Sequence, residues 1–163
     1  MATPPRVLLL GDSIRMQYQP NVKATLESTG EADVVGPAEN CQFAEFTLEN
    51  IDRWIEELGT PDIVHWNNGL HDVGHNPDRE PVQFPVDRYT ANLEGILAKL
   101  RATGASVIWA TLTPIDPDRP FQTDTWGWKV DEIEAFNTAA LGVMNAAGVP
   151  VNDLHTVVLS EIG

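Results

Sequence analysis

The 163-residue chain is long enough for one domain with a sizeable core, and its 42% hydrophobic and 21% charged content is that of a soluble globular protein. Ten Lys and Arg against 24 Asp and Glu leave a net charge of −14, which excludes nucleic acid and anionic membrane surfaces as partners and suits a neutral or cationic small molecule. A single cysteine, Cys41, excludes an internal disulfide framework.

In chain order, Arg6 to Leu10 reads as a buried strand ending at Gly11. Four apolar residues running straight into Gly11-Asp12-Ser13 are too short for a secretory leader, and no segment has the length to span a bilayer, so a cytoplasmic protein is expected. Pro20 suits a first helical turn, with Val22 and Leu26 on the apolar side and Gly30 as the stop. Ala32 to Val35 is a second short strand. Leu48, Ile51, Trp54, Ile55 and Leu58 share one helical face, closed by Gly59 and Pro61. Ile63 to Trp66 is the third strand. Tyr89, Leu93, Ile96, Leu97 and Leu100 mark a helix ending at Gly104, and Val107 to Ala110 the fourth strand. Ile133, Phe136, Ala140, Leu141 and Met144 form a helix closed by Gly148; Val149 to Val151 is a fifth strand, and the remainder begins one more helix. Strands alternating with single helices predict right-handed crossovers and a parallel sheet covered on both faces, with the binding edge at the strands' carboxyl ends. Gly69 to Asp87 and Leu112 to Lys129 are long connections, the kind that carry function in a compact domain.

The chemistry-bearing residues gather at that edge. Gly11-Asp12-Ser13-Ile14 follows the first strand directly, and a strand-to-helix turn exposes a serine hydroxyl while aiming backbone N–H groups at it. The third strand ends in Trp66-Asn67-Asn68-Gly69-Leu70-His71-Asp72, a polar cluster whose Asn can donate to an oxyanion and whose His can donate or act as a base. Trp126 and Trp128, with Phe121, lie in the long loop after the fourth strand, where they could wall a substrate site by stacking or simply pack as a lid. His65, His71, Asp72 and His75 could suggest a metal site, but His65 on its strand and His71 belong to different environments, so no metal is expected. Cys41 has no cationic neighbour in sequence to activate it, which favours burial.

Taken in order, these motifs resemble the GDSL/SGNH hydrolases over nearly the whole chain. Gly11-Asp12-Ser13 matches the family's nucleophile block, and Gly69-Leu70-His71-Asp72 stands where a Gly-x-Asn-Asp block follows the third strand. Thr111-Leu112-Thr113-Pro114 and Val151-Asn152-Asp153-Leu154 are further likenesses. The resemblance implies a flavodoxin-like three-layer α/β/α sandwich with a five-stranded parallel sheet in the order 2-1-3-4-5. It also implies a serine esterase acting on small esters, including O-acetyl groups of carbohydrates, without a cofactor. Ser13 would be the nucleophile, with His71 and Asn68 as further catalytic residues. The oxyanion would be held by the Ser13 N–H, a donor at Cys41 or Gln42, and Asn68 or His71. Asp12, Trp126 and Trp128 would meet the substrate.

The sequence departs from the family pattern at three places. His71 replaces the usual block-three Asn, the second-block glycine has no clean match, and the Asp-x-x-His block that supplies the base is absent, since Asp153-Leu154-His155 has the wrong spacing. A single domain cut short at its carboxyl end is therefore expected, with the base coming from His71, His155 or a second chain. A non-catalytic binding module on the same fold is the alternative. A receiver domain would want a Lys where Asn152-Asp153 stands, and a flavin module would be coloured.

Overall fold

Each of the predicted apolar runs forms a strand in one parallel sheet. The computed structural model describes residues 3–116 and 126–162. Its elements run β1 (Arg6–Leu10), α1 (Ser13–Ser28), β2 (Asp33–Val35), α2 (Ala44–Leu58), β3 (Ile63–Trp66), α3 (Leu70–Val73), α4 (Val86–Ala102), β4 (Ser106–Ala110), α5 (Val130–Ala146), β5 (Val151–Asn152) and α6 (Leu154–Ile162). The strand order is β2-β1-β3-β4-β5, with every pairing parallel. This is the three-layer sandwich and the order that the resemblance implied.

Alternation along β1 divides the core. Leu8 and Leu10 face the larger layer with Trp54, Trp66, Trp109 and Tyr89, while Leu9 faces a smaller cluster with Val34 and the α1 residues Val22 and Leu26. On the larger face α2 lies against α4 and α4 against α5. The predicted stripe on α2 sinks Ile51 and Trp54 completely. Each such side chain contributes about 1.5–3 kcal/mol by leaving water.

Two boundaries differ from expectation by more than one residue. The first helix starts at Ser13, so Pro20 lies in its interior. Asp12, in an extended conformation, accepts from the Ile14 N–H at 2.9 Å and caps the helix earlier than the proline suggested. The carbonyl that Pro20 leaves unpaired is that of Met16, an exposed residue, where water can satisfy it. The fifth strand begins at Val151, two residues late. Gly148 takes φ +67 to end α5, and the Val149 N–H turns back to the Met144 carbonyl, so it is lost to the ladder. The final helix forms as expected, with Asp153 accepting from the Thr156 N–H and hydroxyl. Among the described residues no helix is long and apolar enough to cross a membrane.

Candidate active site

Ser13 is the first residue of α1 and is exposed at the carboxyl edge of the sheet. Its N–H precedes the first intrahelical bond, Met16 N–H to the Asp12 carbonyl at 3.1 Å, and has no acceptor among the described residues. A cleft of about 590 Å³ opens beside it. It is lined by Asp12, Ser13, Ile14, Gln17 and Asn40 from the segments after β1 and β2, by Leu70 and His71 after β3, and by Thr113, Pro114, Ile115, Trp126 and Trp128 after β4. A second groove of about 580 Å³ lies between α4 and α5 and shares no residue with this cleft.

Gly69 shapes the segment after β3. Its φ of +146 and a would-be Cβ 2.8 Å from both the Leu112 side chain and the Tyr89 hydroxyl admit no side chain there. After that turn His71 enters the cleft. Burial pushes its imidazole below the usual histidine range, the Asp12 carboxylate pulls it up, and Arg79 pushes it down. The ring is therefore neutral at pH 7 and can offer either a lone pair or an N–H. It makes no hydrogen bond to Ser13 Oγ among the described residues. Asp72, next in sequence, turns away from the cleft and accepts the Ala44 N–H with both oxygens, at 3.1 and 3.0 Å. It thus caps α2, whose own N-cap, Phe43, supplies no side-chain bond.

Asn68 sits elsewhere than in the cleft. It is 1% exposed; its Oδ1 accepts from Trp66 Nε1 at 2.6 Å and its Nδ2 donates to the Gln42 carbonyl at 3.1 Å. Both halves of the amide are therefore engaged in holding β3 to the β2–α2 loop. Cys41 is fully buried and does not line the cleft, and its N–H donates to the Gly11 carbonyl at 3.2 Å. Burial also pushes its thiol up, against the Gly11 and Arg15 contacts. Gln42 is different: it has φ +52, a backbone conformation that favours glycine. The Gln42 N–H donates to Asn40 Oδ1 at 2.7 Å, within reach of a residue that lines the cleft.

The aromatic wall is assembled from two long loops. Trp126 and Trp128 lie 5.4 Å apart with their rings tilted by 33°, Trp126 meets the His71 ring edge-on at 4.9 Å, and Trp128 Nε1 donates to the Leu70 carbonyl at 2.8 Å. His75 and Gly127 exchange backbone bonds of 2.9 and 3.1 Å, joining the loops, and His75 Nε2 pairs with Glu132 at 2.6 Å. Phe121 lies outside the described residues. His155 is held outside the cleft: Nδ1 is 2.9 Å from the Leu112 carbonyl, to which it donates, and beside Asn137. Among the described residues no three His, Cys, Asp or Glu side chains group to hold a metal ion.

No protein-family model matches the chain, and no curated protein matches its sequence. Solved structures do match its shape. An acetyl xylan esterase, AlAXEase, aligns over 95% of this chain and 80% of its own, at TM-score 0.78 and 16% identity. The chain has the GDSL/SGNH hydrolase fold. An alpha/beta hydrolase enzyme from the metagenome of Lake Arreo, Spain, aligns over 99% of this chain and 82% of its own, at TM-score 0.77 and 16% identity. The lipase/acylhydrolase from Enterococcus faecalis aligns over 94% and 77%, at TM-score 0.70 and 24% identity. On this SGNH frame Ser13, His71 and the two tryptophans share one cleft, while Asn68 and Cys41 stand behind it.

Two contributors escaped the sequence reading. Asn40 was passed over for its neighbours, although an Asx residue two before Gln42 is the usual signature of a side chain bonding a turn N–H. Arg15 had no local signal at all.

Proposed function

We propose that the chain is a serine acylhydrolase acting on small esters, with O-acetyl groups on carbohydrates as the first substrate class to examine. The observation that carries this reading is the exposed Ser13 at a helix N-terminus, sharing one cleft with a neutral His71. Ser13 Oγ attacks the acyl carbon as its proton passes to the His71 imidazole. The tetrahedral oxyanion takes the free Ser13 N–H and the Gln42 N–H, displacing Asn40 Oδ1. The alcohol leaves with the proton from His71, and water then releases the acid from the acyl-serine by the same route. Asp12, buried at the rim, stabilises the imidazolium that forms. Trp126 and Trp128 offer a stacking surface to a sugar ring, which supports the carbohydrate reading.

The test is intact mass after treatment with a fluorophosphonate. One adduct is expected on the protein, and none on Ser13→Ala. A folded protein that takes no adduct would overturn the mechanism and leave a ligand-binding module on this frame.

A further inference from the structure

Behind the nucleophile turn lies a buried cation held by three backbone carbonyls and two side chains. Arg15, two residues after Ser13, is 3% exposed. Its guanidinium donates to the Pro37 carbonyl at 2.8 Å, the Glu39 carbonyl at 2.7 Å, Gln19 Oε1 at 2.7 Å and, more weakly, the Gly11 carbonyl at 3.4 Å, and it reaches Cys41 Sγ at 3.8 Å. No carboxylate pairs with it among the described residues. A charge taken out of water is tolerated only where its donors are met, and here a planar fork spans acceptors on two separate loops.

The loop so held carries the Gln42 N–H. Other bonds tie that loop to α2: Thr47 Oγ1 donates to the Cys41 carbonyl at 2.9 Å, and Trp54 Nε1 to Glu39 Oε1 at 2.7 Å, where Arg53 also binds. Asn68 ties it to β3. Among the described residues only Arg15 and the single Cys41 N–H to Gly11 bond reach it from the nucleophile turn. Gly11 and Gly36 make room for the arrangement. A Cβ at Gly11 would come 2.8 Å from Arg15 Cβ, and one at Gly36 2.3 Å from Gln19 Oε1, the atom that buttresses the guanidinium.

We infer that Arg15 is a positioning residue: it clamps the β2–α2 loop against the nucleophile turn and so sets the spacing of the two N–H groups that would receive the oxyanion. The clamp is a statement about structure; its catalytic consequence rests on the acylhydrolase reading above.

Cys41, the chain's one cysteine and fully buried beside the guanidinium, reports the clamp without any need for activity. Iodoacetamide labelling of Cys41 under native conditions is expected to speed up by roughly tenfold or more in Arg15→Met, with Arg15→Lys in between because an ammonium cannot span both carbonyls. The Ser13 fluorophosphonate adduct should form on the order of tenfold or more slowly in Arg15→Met, and on p-nitrophenyl acetate the loss should fall on kcat with KM within about twofold. Should Arg15→Met fail to fold, Arg15→Lys is read by the same two measurements. Cys41 as protected in the folded variants as in the parent would overturn the clamp. Absence of any Ser13 adduct on the parent would instead overturn the acylhydrolase reading, and the cysteine measurement would still decide the role of Arg15.

Discussion

On the β1 side of the cleft, Ser13 stands on a capped helix end, and the loop beside it is bonded to α1, α2 and β3 through Arg15, Thr47, Trp54 and Asn68. The β4 side is a pair of tryptophans on a long loop, whose contacts among the described residues include a backbone bridge, an indole bond, the His71 and Arg79 contacts of Trp126, and the His75–Glu132 pair. The first wall is fastened by buried and part-buried hydrogen bonds, of which the Arg15–Pro37 and Thr47–Cys41 bonds are fully buried and costly to leave unmade. The second is fastened by contacts that water can partly replace. This difference suits the acylhydrolase proposed above: donors for a developing charge must be placed beforehand, whereas the surface that receives a substrate group can yield.

The largest test of that contrast falls on the segment after β3. His71→Ala should slow formation of the Ser13 adduct on the order of a hundredfold or more while the unfolding midpoint barely moves. An adduct rate within about threefold of the parent would remove His71 as the base. Next comes Gly74→Ala, which would bring a Cβ 2.8 Å from Trp128 Nε1 and 3.0 Å from the Leu70 carbonyl. It should destabilise by about 1–3 kcal/mol and displace the tryptophan wall, raising KM more than it lowers kcat. Equal loss in both would mean the two walls are mechanically one.

Asp72 gives a pH-dependent test of the fastened side. Burial pushes its carboxyl up to about 7, against the pull of the Ala44 N–H and Arg79. Between 3.8 and about 7 the folded chain holds a proton that the unfolded chain has released. This group's share of stability is thus present at low pH and lost as pH rises through that window. Asp72→Asn should flatten the dependence, so the variant gains on the parent between pH 5 and pH 8 in denaturant midpoints. Parallel midpoints at both values would contradict it. The smallest effect is expected of Glu132→Gln. Burial raises the Glu132 carboxyl, but bonds from His75, Lys129 and Gln83 together hold it below its usual range. Losing this half-exposed pair should cost only about 0.2–1 kcal/mol by thermal unfolding, yet loosen the Trp126–Trp128 segment, read as faster tryptophan quenching by acrylamide.

By itself the sequence determined the order of strands and helices, the parallel sheet, and the placing of Ser13 and the Asn68–Asp72 cluster at its carboxyl edge. Those features follow from apolar periodicity, from glycine stops and from turn residues, all of which act over a few positions along the chain. Pro20 misled because the cap at Asp12 outweighed it, and Val149 because the end of α5 took its N–H. Tertiary structure decided which polar groups face the cleft. Asn68 turns inward because Trp66 and Gln42 engage both ends of its amide, and the Cys41 N–H is taken by Gly11, 30 residues earlier. His71 is left in the cleft, and Arg15 is buried beneath Ser13 by carbonyls 22 and 24 residues away. A buried donor or acceptor must find a partner wherever the fold brings one, and such a partner leaves no mark in the local pattern of residues.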